Sequence, residues 1–330
     1  MNKINIINAK ETEKLLSYEK VIETIEEVYT QKANDRTVVF PLVFHEFDPG
    51  VADMDIKSGW LKDSKIFGLK LVSWYGDNVE KGLPALMGTV LICDAETGAP
   101  KGILDGAYIT GIRTGAAGAI GTKYLARKNS ENLLLVGAGH VASFMIPETL
   151  IAMPGIKTVR IYDPIDIKFA ESLIAKIEAN HKGIKFEAVT DIAKATGLSD
   201  VIITVTPSKT PLIKKEWVKP GTHFSCIGAD MSGKEELDPE ISRGARIYVD
   251  DLPQNVNVGE IEIPIKNGII TKEDVVGEIG EVIIGRIQGR ISEDDITIFD
   301  ATGTALLDLL TGELAISEAE KQGVGTVVEL

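Results

Sequence analysis

The sequence predicts an α/β fold: a doubly wound parallel sheet preceded by an α+β region. Two observations predict it. From Asn129 onward, short apolar runs alternate with helical stretches, the pattern that strand–helix–strand units leave when they build a parallel sheet. The first of these runs ends in LLLVGAGHVA, a glycine turn that follows a strand and opens a helix.

Taken in order, the chain opens with a helix from about Ser17 to Ala33, where Val21, Ile22, Ile25, Val28 and Tyr29 recur at helical spacing. Beta-rich segments follow: TVVFPLVFHEF, IFGLKLVSWYG and GTVLICDA, with turns at DPG and AETGAP. Next comes ITGIRTGAAGAIGTKYLA, a helix of small residues that carries one arginine, Arg113. Then LLLVGAG, TVRIYD, KFEAV, DVIITVTP, HFSCIG and RIYVDD read as strands, with SFMIPETLIAM, KFAESLIAKIEANH and DIAKATGL as helices among the early ones. A last strand, ITIFD, leads into a long helix. This places a first domain at 1–126, a nucleotide domain at 127–298, and a strand and helix at 299–330, with helix 304–324 returning to the first domain.

The totals exclude several classes. At 330 residues the chain has room for two domains, and 44% hydrophobic with 25% charged residues is ordinary for a globular protein. A net charge of −14 argues against a nucleic-acid surface and against an anionic membrane surface. No apolar run reaches the ~18 residues of a membrane span, and the N-terminus has no apolar signal core. Cys93 and Cys226 form neither a disulfide framework nor a metal pair, so a cytoplasmic location is expected. His45, His140, His181 and His223 show no metal-ligand spacing, and no metal is expected.

Gly137, Gly139 and Ala142 form a G-x-G-x-x-A turn. The first glycine permits the tight bend, the second lets backbone approach a pyrophosphate, and the small third residue packs helix on strand. Asp163 ends the next strand about 20 residues on, where an acid binds an adenosine ribose. It would repel a 2′-phosphate, so NAD is the expected cofactor and NADP the alternative. His140 and Val141 lie within the turn, and His140 is expected to meet the pyrophosphate through its backbone. Thr206, Pro207 and Ser208 follow a strand at the carboxyl edge, where ligands bind in such sheets. Lys70, Arg113 and Asp230 are lone charges in apolar or small-residue surroundings, which suggests a site that holds a small anion and moves a proton.

GLPALMGTVLICDAETGAPKGILDG, ITGIRTGAAGA, VGAGHVA, CIGADMSGKEEL and FDATGTALLD, in this order, resemble the ornithine cyclodeaminase/mu-crystallin family from about Lys57 to the C-terminus. The resemblance implies a Rossmann domain beside an α+β substrate and dimerisation domain, hence a homodimer. It also implies NAD(P)-dependent chemistry on the carbon–nitrogen bond of a small amino or imino acid. By position, Lys70 and Arg113 match residues that grip a substrate carboxylate, with Arg113 also near the cofactor and its small neighbours allowing the helix to lie close to it. Asp230 matches an acid/base, and Thr206, Pro207, Ile227 and Lys234 match positions near the cofactor.

The chain departs from the family at two places. Many members carry Arg or Lys two residues after the proline that here is Pro41, where this chain has Val43. Lys57 stands where cyclodeaminases tend to carry a glutamate, and its IKSG context resembles the iminosuccinate-reductase branch, where an extra cation would meet a second carboxylate. An amino-acid dehydrogenase or imine reductase is therefore the first expectation, with Lys70 and Asp230 catalytic and Lys57 helping to bind substrate. An ornithine cyclodeaminase that recycles its NAD comes second, and a non-catalytic ligand-binding protein third.

Overall fold

The computed structural model describes residues 3–330. The chain divides into two compact units, Met1–Arg113 with Thr304–Leu330, and Thr114–Gly303. The first division falls inside the helix Gly106–Leu125, where the apolar pattern alone places it at residue 126, and the second follows Gly303 instead of residue 298.

In the first unit a largely antiparallel sheet runs in the order Thr326–Glu329, Lys3–Ile7, Pro100–Asp105, Leu86–Asp94, Ile66–Tyr75, Ala52–Leu61, Thr37–Val39, with Val43–Asp48 also paired to Ala52–Leu61. Two helices matter most here. Tyr18–Ala33 starts at Ser17, whose hydroxyl accepts from the Lys20 N–H, and it buries Val21, Ile22, Ile25, Val28 and Tyr29. Ala305–Gln322 ends at Gly323 in the left-handed conformation. This second helix lies against glycines of the sheet: a Cβ on Gly59 would stand 2.9 Å from Leu306, one on Gly68 2.9 Å from Leu309, and one on Gly102 2.6 Å from Ile316. Side chains would push it away, so these glycines set how closely the helix approaches.

The second unit holds an all-parallel sheet in the order Lys185–Ala188, Thr158–Tyr162, Asn132–Val136, Val201–Thr204, His223–Cys226, Thr297–Asp300, Arg246–Val249, Val275–Glu278. From Asn132–Val136 the chain winds outward in one direction, then returns to the other side at Val201–Thr204. The reversal opens a crevice at the carboxyl ends of these two strands, the position where doubly wound sheets take ligands. Leu134, Val136, Ile202, Phe224, Ile247 and Ile298 are part of the buried core beneath it. The glycines of helix Gly106–Leu125 that fall in this unit are closely packed within it. A Cβ on Gly115 would strike Phe144 and Glu148, one on Gly118 would meet Met145, and one on Gly121 would stand 2.2 Å from Phe299. Among the described residues no helix is long and apolar enough to cross a membrane.

Candidate active site

In the first unit, alternation along Ile66–Tyr75 buries Ile66, Gly68 and Lys70 on the face that meets helix Ala305–Gln322. Lys70 is 3% exposed and would be untenable there without partners. Its Nζ donates to Asp308 Oδ1 at 2.9 Å and to Thr110 Oγ1 at 3.2 Å. Arg113, 7% exposed, donates from Nε to the same Asp308 oxygen at 3.0 Å. The structure thus brings Lys70 and Arg113 together on an acid that composition and spacing do not single out. Lys57 is half-buried and lies directly opposite Lys70 in the strand register. Val43 is exposed on strand Val43–Asp48.

The electrostatics follow from this geometry. Burial pulls the Lys70 ammonium down to about 8; Asp308 opposes the fall, while Arg113 and Lys57 add to it. Burial works against the Asp308 charge too, but Arg113, Lys70 and Lys57 outweigh it and hold the carboxyl below its ordinary range. One buried carboxylate among three basic side chains leaves the neighbourhood positive, which suits an anionic ligand. Because Asp308 engages Arg113 through Nε, the terminal nitrogens of the guanidinium remain for a second, bidentate partner.

The second unit carries the glycine turn. Gly137 has φ +103°, and a Cβ there would stand 2.9 Å from both the Val205 carbonyl oxygen and Thr206 Cγ2, so only glycine fits. Gly139 has nothing within 4 Å of a would-be Cβ, an open side for close backbone approach by a ligand. Helix Ala142–Ala152 begins at Val141 without any side-chain cap; the Ser143 and Phe144 N–H groups turn back to the His140 and Val141 carbonyls, and the positive end of the helix favours an anion there. Ala142 is fully buried, and the exposed His140 rests edge-on against Phe144 at 5.4 Å. A dinucleotide pyrophosphate fits this set of features. Asp163 accepts from the Ala138 N–H at 3.0 Å and, through its other oxygen, from the Ile165 N–H at 3.0 Å, so its carboxylate braces the turn itself.

Across the crevice, Thr206 points inward. Its N–H and hydroxyl both donate to Glu236 Oε1 at 2.7 Å, and Glu236 Oε2 accepts from the Gly228 N–H at 3.0 Å. Glu236 therefore ties together the two loops that carry Thr206, Pro207, Ser208 and Ile227. Gly228 must be glycine, since a Cβ would lie 2.2 Å from the Thr206 carbonyl oxygen. Burial raises the Glu236 carboxyl to about 7 against the pull of its donors from Thr206 and Gly228. Glu260, which accepts from the Glu236 and Leu237 N–H groups, is raised well above its ordinary value by burial and by the Glu236 charge. Pro207 is exposed, and Ser208 donates to the Thr210 carbonyl at 2.7 Å. Ile227 is buried, 3.6 Å from a would-be Cβ on Gly118. Asp230, half-exposed, forms an ion pair with Lys234, so that lysine is engaged with its neighbour.

Composition and spacing pass over Asp308, Glu236 and Glu260. A signal existed for each: an acid between leucine pairs in ALLDLL, the paired glutamates of KEEL, and Glu260 ahead of a short helix. Among the described residues no group of His, Cys, Asp and Glu side chains could hold a metal ion.

Comparison with known proteins agrees across nearly the whole length. An alanine dehydrogenase of Archaeoglobus fulgidus is 38% identical over 324 residues, covering 98% of both chains. A solved archaeal alanine dehydrogenase dimer with bound NAD superposes with a TM-score of 0.93 at 37% identity, over 99% of each chain. The iminosuccinate reductase of Paracoccus denitrificans, solved with NAD+, gives 0.92 at 32% identity over 99% of this chain and 100% of that one. Residues 3–322 match the ornithine cyclodeaminase/mu-crystallin family, and the chain belongs to it.

Proposed function

We propose that the chain is an NAD-dependent oxidoreductase of small amino or imino acids, acting on the carbon–nitrogen bond as an amino-acid dehydrogenase or imine reductase. The observation that carries this reading is the pair of buried cations, Lys70 and Arg113, sharing one oxygen of Asp308. Such a group is built to take a carboxylate, and Arg113 would grip it through its terminal nitrogens. The solved relatives named above, an alanine dehydrogenase and an iminosuccinate reductase, hold NAD and support the same chemistry here.

Gly137, Gly139 and the uncapped start of helix Ala142–Ala152 would hold the pyrophosphate, with His140 and Val141 contributing backbone and Asp163 favouring NAD over NADP. When bound, NAD supplies the hydride acceptor or donor for the α-carbon. The protein's own residues do the rest. Lys70 and Arg113 fix the carboxylate and so orient the carbon–nitrogen bond. In the oxidative direction the amine loses a proton as the carbon–nitrogen double bond forms, and water then releases ammonia and the oxo acid. Asp230 is the proposed acceptor of that proton, and Lys70, lowered to about 8 by burial, can also exchange one. Lys57, opposite Lys70, favours substrates with a second carboxylate over diamines.

We also place the protein in the cytoplasm and infer a homodimer, as in the archaeal alanine dehydrogenase. Val38, Val43, Trp60, Leu71 and Met87 are exposed large apolar side chains on the strands of the first unit, a surface suited to a second copy. The test of the main reading is NADH absorbance over alanine, aspartate, ornithine and lysine with NAD, and over the matching oxo acids with ammonia and NADH. Turnover of a monoamino acid or its oxo acid is expected. Release of ammonia and proline from ornithine without net NADH would make it a cyclodeaminase, and silence in every assay would overturn the enzyme reading.

A further inference from the structure

We propose that Asp308 is a positioning residue for the reaction: its buried carboxylate orients Arg113 and sets the charge of Lys70, so that together they grip the substrate carboxylate. The inference rests on the reading of those two cations as the substrate grip. Asp308 lies wholly buried on helix Ala305–Gln322, and one oxygen, Oδ1, takes both Lys70 Nζ at 2.9 Å and Arg113 Nε at 3.0 Å. Its other oxygen is buried without a hydrogen-bond partner. Here a single oxygen fixes the Nε side of the guanidinium, which leaves its terminal edge for a ligand.

The charges that face Lys70 come from three elements. Asp308 on its helix favours the ammonium. Arg113, on helix Gly106–Leu125, and Lys57, on the adjacent strand, disfavour it, as does burial. Thr110 adds a neutral acceptor at 3.2 Å. With Asp308 neutral, every remaining charge on Lys70 opposes protonation, and the amine would lose its proton at lower pH. The same change would free the Arg113 guanidinium to turn. Both effects weaken carboxylate binding.

The test compares Asp308→Asn and Asp308→Glu with the wild type in steady-state kinetics across pH. Asp308→Asn keeps the shape and removes the charge. It is expected to raise KM for the amino or imino acid about tenfold or more, to leave KM for NAD within about twofold, and to move the alkaline limb of kcat/KM to lower pH. Asp308→Glu keeps the charge and is expected to hold that limb in place and recover part of the lost affinity. Equal losses in both variants with an unmoved limb would reduce Asp308 to packing and overturn the proposal, as would an unchanged substrate KM in Asp308→Asn. If Asp308→Asn yields no soluble protein, Asp308→Ser takes its place with the same readouts: a raised substrate KM with the limb at lower pH supports the role, and an unmoved limb overturns it. A wild type that turns over no amino or imino acid fails the functional reading itself, whereas turnover that falls in Arg113→Lys but not in Asp308→Asn fails only this inference.

Discussion

Burying a carboxyl group costs free energy according to what meets it, and two residues show the extremes. Asp308 meets two cations and stays charged. Glu148, on helix Ala142–Ala152, is fully buried with neither oxygen hydrogen-bonded, and burial alone raises its pKa well above the ordinary 4.5. The sign of its effect on stability follows. Below pH 4.5 the carboxyl is protonated in both the folded and unfolded states. Above it the unfolded chain releases a proton that the native state keeps, so stability falls as pH rises, by up to about 1.4 kcal/mol per unit, until the folded pKa is passed. Glu148→Gln removes this loss. In thermal denaturation its Tm relative to wild type is expected to be higher at pH ~8 than at pH ~5, and a difference independent of pH would show that Glu148 is already ionised in the fold. At this scale the sequence is legible where a residue conflicts with its neighbours. Lys70 in IFGLKLVSW and Arg113 among glycines both stand out as charges in the wrong company. Asp308 and Glu148 sit in equally apolar runs, and the leucine pairs around Asp308 are a signal of burial, yet a single acid in a helix is common and the run does not say what the buried acid meets.

Elements are legible when their signal is local. The glycine turn and the strands around it can be read directly, because a parallel strand buried on both sides is a continuous apolar run. Strand Lys3–Ile7 cannot, since it pairs with Thr326–Glu329 and Pro100–Asp105, far off in the chain. The clasp made by Glu236 is non-local in the same way: it joins the loops after Val201–Thr204 and His223–Cys226 from a strand that belongs to neither. It accepts three N–H or O–H donors, so Glu236→Gln must turn an NH2 toward one of them and lose that bond. A bond to a charged acceptor contributes about 1.5–3 kcal/mol. The expected result is a KM for NAD raised about tenfold or more, with a smaller change in KM for the amino acid. Measured by titration of NADH fluorescence, unchanged cofactor affinity would show that these loops are held by their own backbone and that Glu236 is incidental to them.

For the whole molecule the informative feature is a sheet with unequal faces. In the first unit, Ile66, Gly68 and Lys70 turn toward helix Ala305–Gln322, and the side chains between them turn the other way. Strand register places Val38 opposite Trp60, Val43 opposite Ile56, Ile56 opposite Leu71, and Ser73 opposite Met87, so these residues share that second face. Val38, Val43, Trp60, Leu71 and Met87 are all exposed there. A continuous apolar face of this kind is costly in water, and a chain with a net charge of −14 does not gain solubility by adding it. Burial against a second copy, related by a two-fold axis, would account for it. Leu71→Lys tests this without touching the cation pair, because Leu71 points away from the side of the sheet that holds Lys70. A lysine at the centre of such an interface is expected to leave the circular dichroism spectrum unchanged and to convert the dimer to monomer in sedimentation velocity, or weaken it about a hundredfold, since an unpaired buried charge costs several kcal/mol. If wild type and variant both sediment as dimers, the two copies meet elsewhere and this face must serve a different contact.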